Sequence, residues 1–123
     1  MIFTLLQVAL GGALGAVARF GVGLAALRWT GSAPLGTLAV NVAGCFLMGL
    51  LAAMMATRLG HLAPLLLTGL LGGFTTFSAF GLDALRLWQA GEGALAGAYV
   101  ALSVVGSLGA VALGLTIGKG IWP

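Results

Sequence analysis

The sequence predicts an all-α membrane protein: one domain, residues 1–123, of four transmembrane helices, the third interrupted near its centre. Three observations lead there. Only 6% of the residues are charged and 61% are hydrophobic, where a soluble domain carries roughly 25% charged residues. Five basic and two acidic side chains cannot shield so apolar a surface from water, so the lipid bilayer is the solvent. The charge-poor runs are each close to or longer than the roughly 20 apolar residues that a spanning helix needs. The connections between them are short, which makes neighbouring helices antiparallel and leaves space for neither a soluble domain nor a linker.

The first helix is expected at 3–27, from the uncharged run Met1–Ala18 and its continuation beyond Arg19. Ala13-Leu14-Gly15-Ala16 has the small residues of a signal-peptide cleavage site. A basic n-region is missing, however, and the apolar run resumes after Arg19, so the segment reads as a retained span. The second helix, 34–57, fills the interval between Arg28 and Arg58; the third, 62–88, takes up Leu59–Leu82, where His61 is the sole titratable residue; the fourth, 94–119, takes up Gly93–Gly118. Isolated arginines at helix ends are ordinary membrane anchors and form no nucleic-acid patch. Cys45, the single cysteine, excludes an intramolecular disulfide and a thiolate metal site and reads as a small core residue.

Four spans place the termini and the second loop on one side, with Arg58, Lys119 and His61. The opposite side receives Arg28, Arg86, Asp83 and Glu92. Lys and Arg then balance at two against two, and the positive-inside rule leaves a fixed and a dual orientation equally open. The acidic residues fall at the ends, so no carboxylate is expected within a span. Oligomerisation is suggested by glycine, 22 of 123 residues against a usual share of ~7%. Gly11/Gly15, Gly69/Gly73, Gly93/Gly97 and Gly114/Gly118 have G-x-x-x-G spacing, and Gly106, Ala110, Gly114 and Gly118 make one ridge. Such ridges let helix backbones approach in lipid, without fixing a stoichiometry.

Polar groups within a span must be paired or face water. Asn41, with Thr37 one turn earlier, is open to two readings: a donor to a passing anion or a bond across a helix interface. Gly72-Gly73-Phe74-Thr75-Thr76-Phe77-Ser78 combines two glycines and three hydroxyls, all poor for a helix interior. Irregular backbone at that depth is tolerated only where it is buried in protein or lines a cavity. Phe77 and Phe80 lie three apart with Phe74 close behind, and aromatic edges carry positive charge that can face an anion. Tyr99, Ser103 and Ser107 recur every four residues as a hydroxyl stripe. Arg19, about 17 residues into the first helix, either snorkels to the far interface or forms a cationic mouth.

Gly11-Gly12-Ala13-Leu14-Gly15-Ala16-Val17-Ala18-Arg19-Phe20, Pro34-Leu35-Gly36-Thr37-Leu38-Ala39-Val40-Asn41-Val42-Ala43-Gly44 and Gly72-Gly73-Phe74-Thr75-Thr76-Phe77-Ser78 resemble, in that order, motifs of the CrcB/Fluc fluoride ion channels. The resemblance covers nearly the whole chain. It implies a passive fluoride channel of the inner (plasma) membrane, built as an antiparallel, dual-topology homodimer. It further implies a structural sodium ion at the dimer centre, held by the carbonyls of Gly72 and Thr75. Asn41, Phe77, Ser78 and Phe80 would line the fluoride path, with Tyr99, Ser103 and Ser107 as its polar track and Arg19 in the vestibule. Ala79 departs from the family, which commonly has Thr there, and Asp83 stands where relatives often have Glu.

Two rival readings share the architecture. A small multidrug-type transporter coupled to protons needs a buried ionisable carrier, and a structural helix bundle needs only partners. An enzyme is disfavoured because His61 sits at a loop and no nucleophile–base pair is visible. Anion rather than cation transport follows from the excess of donors over acceptors among the span residues. Selectivity for fluoride over chloride rests on the resemblance alone.

Overall fold

A computed structural model describes residues 1–123 and is helical throughout, with no strands. Helices α1 (Ile2–Thr30) and α2 (Ala33–Thr57) form the first two spans. The third span, Gly60–Gln89, is composite: a 3₁₀ turn (Gly60–Leu62), a π-helical segment (Pro64–Leu71), the short α3 (Gly72–Phe74) and then α4 (Phe77–Gln89). Helix α5 (Gly93–Ile121) is the fourth span. All four are long and apolar enough to cross a bilayer, and their ends fall within three residues of those expected. The chain is thus a multi-pass membrane protein.

Local chemistry sets the boundaries. Gly31 (φ 70°) accepts the left-handed conformation that ends α1, its amide bonding back to the Leu27 carbonyl. Pro34 occupies the first turn of α2, where its missing N–H costs nothing. At the end of α4, Gly91 (φ 81°) turns the chain while Glu92 N–H reaches the Leu87 carbonyl at 3.0 Å. The side chain of Gln7 donates to the His61 carbonyl at 3.1 Å, fixing the N-terminal end of α1 beside the second loop.

Glycine sets the helix seams. A Cβ on Gly11 would overlap the Leu65 carbonyl, and one on Gly15 the Leu70 carbonyl, so α1 lies with its backbone against the π-helical segment. Likewise, a Cβ on Gly49 would meet the Val111 carbonyl and one on Gly114 the Phe46 carbonyl, which joins α2 to α5. Close backbone approach of this kind maximises dispersion contact where lipid supplies no hydrophobic drive. Little is enclosed by the single chain: only 17 of 123 residues are buried, and Val40 is the one large side chain fully so.

The third span bends by 34°. Two residues lie outside helical geometry there, Thr75 (φ −85°, ψ 159°) and Thr76 (φ −152°, ψ 127°). The irregularity of the Gly72–Ser78 motif is concentrated at these threonines, while Gly72, Gly73 and Phe74 remain helical.

Candidate functional site

The bend owes its shape to side chains that replace backbone partners. Asn41 of α2 makes two hydrogen bonds to one residue: its Nδ2 donates to the Thr76 carbonyl at 2.8 Å, and its Oδ1 accepts from Thr76 N–H at 2.7 Å. The Thr76 hydroxyl caps α4 by accepting from Ala79 N–H at 3.2 Å, the geometry that starts a helix after an extended residue. It also lies 3.2 Å from the Ser78 hydroxyl. Thr75 Oγ1 donates to the Leu71 carbonyl at 3.0 Å. From the other side, Arg19 Nε donates to the Gly73 carbonyl at 3.1 Å.

Asn41 braces the interface with Thr76 through both its polar atoms, and its second amide hydrogen remains for another acceptor. Arg19 is half-buried, with its Nε bonded to the Gly73 carbonyl.

An open cavity of about 470 Å³ begins at the bend. Asn41, Gly72, Thr75, Phe77, Phe80, Ser103 and Ser107 all line it, with Cys45, Val104 and Leu108 as apolar wall. Seven of the ten residues expected at a site therefore meet in one place. The Phe77 and Phe80 rings are 5.4 Å apart and tilted by 54°, and Phe80 packs on Tyr99 at 5.5 Å. Phe80 is buried whereas Phe77 is 82% exposed. Ser103 is also buried, and its hydroxyl has no hydrogen-bond partner. A buried orphan hydroxyl calls for an explanation such as water or an ion.

The other three stand apart. Ser78 is exposed and faces Thr76. Tyr99 backs Phe80, and its hydroxyl donates to Asp83 Oδ2 at 3.2 Å. Arg19 lines a second cavity, of about 370 Å³, with Phe20, Thr37, Thr76, Asp83 and Arg86.

Asp83 has partners that charge counting along the chain does not reveal. It is half-buried in the last two turns of the third helix, where the same Oδ2 accepts from Thr37 Oγ1 at 2.8 Å and from Tyr99. Hydrogen bonds from two neighbouring helices make a carboxylate tolerable there, as a polar group in lipid requires. Sequence reading also missed Thr76, whose backbone and hydroxyl organise the bend. The available signal was the Thr75-Thr76 pair two residues before Ser78, a helix-capping composition.

No group of three or more His, Cys, Asp or Glu side chains is arranged to hold a metal. Any cation at the bend would rest on backbone oxygens, and the carbonyls of Gly72 and Thr75 receive no hydrogen bond there.

The chain is similar to known proteins over most of its length. Residues 6–115 match the family described as CrcB-like protein, Camphor Resistance (CrcB). A Paracoccus denitrificans protein is 64% identical over 120 residues, covering 97% of each chain. One from Cereibacter sphaeroides is 53% identical over 121 residues, 98% of each chain. A third, from Rhizobium etli, is 54% identical over 114 residues, 89% of this chain and 91% of its own. All three are named fluoride-specific ion channel FluC. With the match spanning most of its length, this chain belongs to the CrcB/FluC family.

Proposed function

We propose that this protein is a fluoride-selective channel that lets the ion leave the cytoplasm passively across the inner membrane, and that it is not an enzyme. One observation carries the reading beyond family membership. Phe77 and Phe80 pair at the bend beside a cavity that also holds the unpartnered Ser103 hydroxyl. Ring edges and hydroxyl hydrogens present positive charge without a mobile proton, which suits a small anion. The named function of the relatives, fluoride-specific conduction, supports the choice of ion.

On this reading Asn41, Phe77, Ser78, Phe80, Ser103 and Ser107 face the ion path. Tyr99 holds Phe80 from behind, and Arg19 draws anions into the second cavity. The bend is taken as a functional break in the third helix. Its free carbonyls at Gly72 and Thr75 suit a hard cation such as sodium, which transporters hold on unwound backbone. Such an ion would neutralise carbonyl dipoles that lipid cannot solvate. Two carbonyls from one chain are too few, so a second copy would supply the remainder. The exposure of the Phe77 ring and the open cavity beside it support a homodimer covering this face. An antiparallel arrangement accords with the balanced Lys and Arg count.

The test is ion release from reconstituted vesicles. Fluoride is expected to leave down its gradient and chloride to stay; equal chloride release would overturn the selectivity. For orientation, a Leu59→Cys variant in a Cys45→Ser background should be labelled by impermeant reagent from both sides of the membrane. Labelling from one side alone would refute dual topology.

A further inference from the structure

We infer that Arg19 and Asn41 are positioning residues that sort the carbonyls of the bend, a role that rests on the ion-path reading above. In an uninterrupted α-helix each carbonyl receives the N–H four residues later. Gly72 would then be served by Thr76, Gly73 by Phe77, and Thr75 by Ala79. Here the Thr76 N–H is diverted to Asn41 Oδ1, and the Ala79 N–H to the Thr76 hydroxyl. Gly72 and Thr75 lose their donors to specific side chains, not to disorder.

The remaining carbonyls are treated differently. Arg19 Nε supplies Gly73 with a replacement donor, and Asn41 Nδ2 supplies Thr76. The two side chains come from α1 and α2, on different elements from the bend. They satisfy the carbonyls of Gly73 and Thr76 and leave those of Gly72 and Thr75, like that of Phe74, without a replacement donor. Asn41 does both jobs at once, taking away the donor of Gly72 while restraining Thr76.

Arginine suits its place for a geometric reason. Its Nε can hold one carbonyl while the rest of the planar guanidinium stays in the cavity lined by Thr37 and Asp83. Lysine would keep the charge but could not divide it in this way. The same argument separates positioning from simple attraction of anions, since attraction needs only the charge.

The experiment pairs fluoride release from vesicles with amide hydrogen exchange of the purified, membrane-reconstituted protein. The variants are Arg19→Lys, Asn41→Ala and Asn41→Asp. If the side chains position the bend, Arg19→Lys and Asn41→Ala accelerate exchange between Gly72 and Phe80. Release then falls by roughly tenfold, the scale of one lost hydrogen bond. Asn41→Asp keeps the acceptor for Thr76 N–H, so that amide stays protected while it exchanges freely in Asn41→Ala. Release that falls with exchange unchanged would overturn the inference and make both residues direct ion contacts. Unchanged release and exchange would also overturn it. Should Asn41→Ala fail to fold, Arg19→Lys and Asn41→Asp still decide the matter. A wild type that releases no fluoride would instead refute the channel reading, whereas the exchange comparison would still stand.

Discussion

The two halves of the third span differ in almost every respect. Before the bend, Pro64–Leu71 is π-helical and wholly apolar apart from Thr68, and lies with its backbone against Gly11 and Gly15 of α1. After it, α4 carries Phe77, Ser78, Phe80 and Asp83, which reach α2 and α5 through rings and hydrogen bonds. The first half is held by shape and the second by chemistry. Substitutions in the first should therefore act on stability and assembly, and those in the second on ion movement.

The largest effect is expected in the second half. Replacing Phe77 or Phe80 with Ile keeps bulk but removes the ring edge beside the cavity. Fluoride release should fall by on the order of tenfold or more, while the variant elutes like the wild type on size-exclusion chromatography. Normal flux in both variants would remove the rings from the mechanism.

Next comes the seam of the first half. A Cβ on Gly15 would overlap the Leu70 carbonyl and lie 2.8 Å from Phe74 N, so Gly15→Ala should destabilise by ~1–3 kcal/mol. Gly21→Ala, with nothing within 4 Å, is the matched control. Thermal unfolding in detergent compares them, and equal midpoints would contradict the seam.

At the junction, Thr76→Val removes the cap of α4 and should cost about 1 kcal/mol. Thr76→Ser should restore most of it. A serine variant as unstable as the valine one would assign the effect to packing instead of the cap. The smallest change is expected from Tyr99→Phe, which removes one of the two hydrogen bonds to Asp83 but keeps the ring on Phe80. Interhelical bonds in membranes average ~0.6 kcal/mol. A loss matching that of Gly15→Ala would show that the Asp83 network carries more than the seam.

These contrasts also mark how far the residues could be read in advance. The weakness of Gly72–Ser78 as helix was visible because glycines and hydroxyls stand in an otherwise apolar run. The grouping of Asn41, Phe77, Phe80, Ser103 and Ser107 was implied by the family resemblance, while Asn41, Ser103 and Ser107 also stand out as polar residues among apolar neighbours. The partners of Asp83 were not legible, because charge counting sees position along the chain and not the hydroxyls of Thr37 and Tyr99 that arrive from other helices.

By itself the sequence determined that this is a membrane protein of four helices with an irregular third span. Both follow from local quantities, hydropathy over some 20 residues and the helix propensity of a short motif. Only the tertiary structure decided which carbonyls at the bend are free. That depends on Arg19 and Asn41, separated from Gly73 and Thr76 by 54 and 35 residues, and on glycine seams that bring their helices close enough to reach.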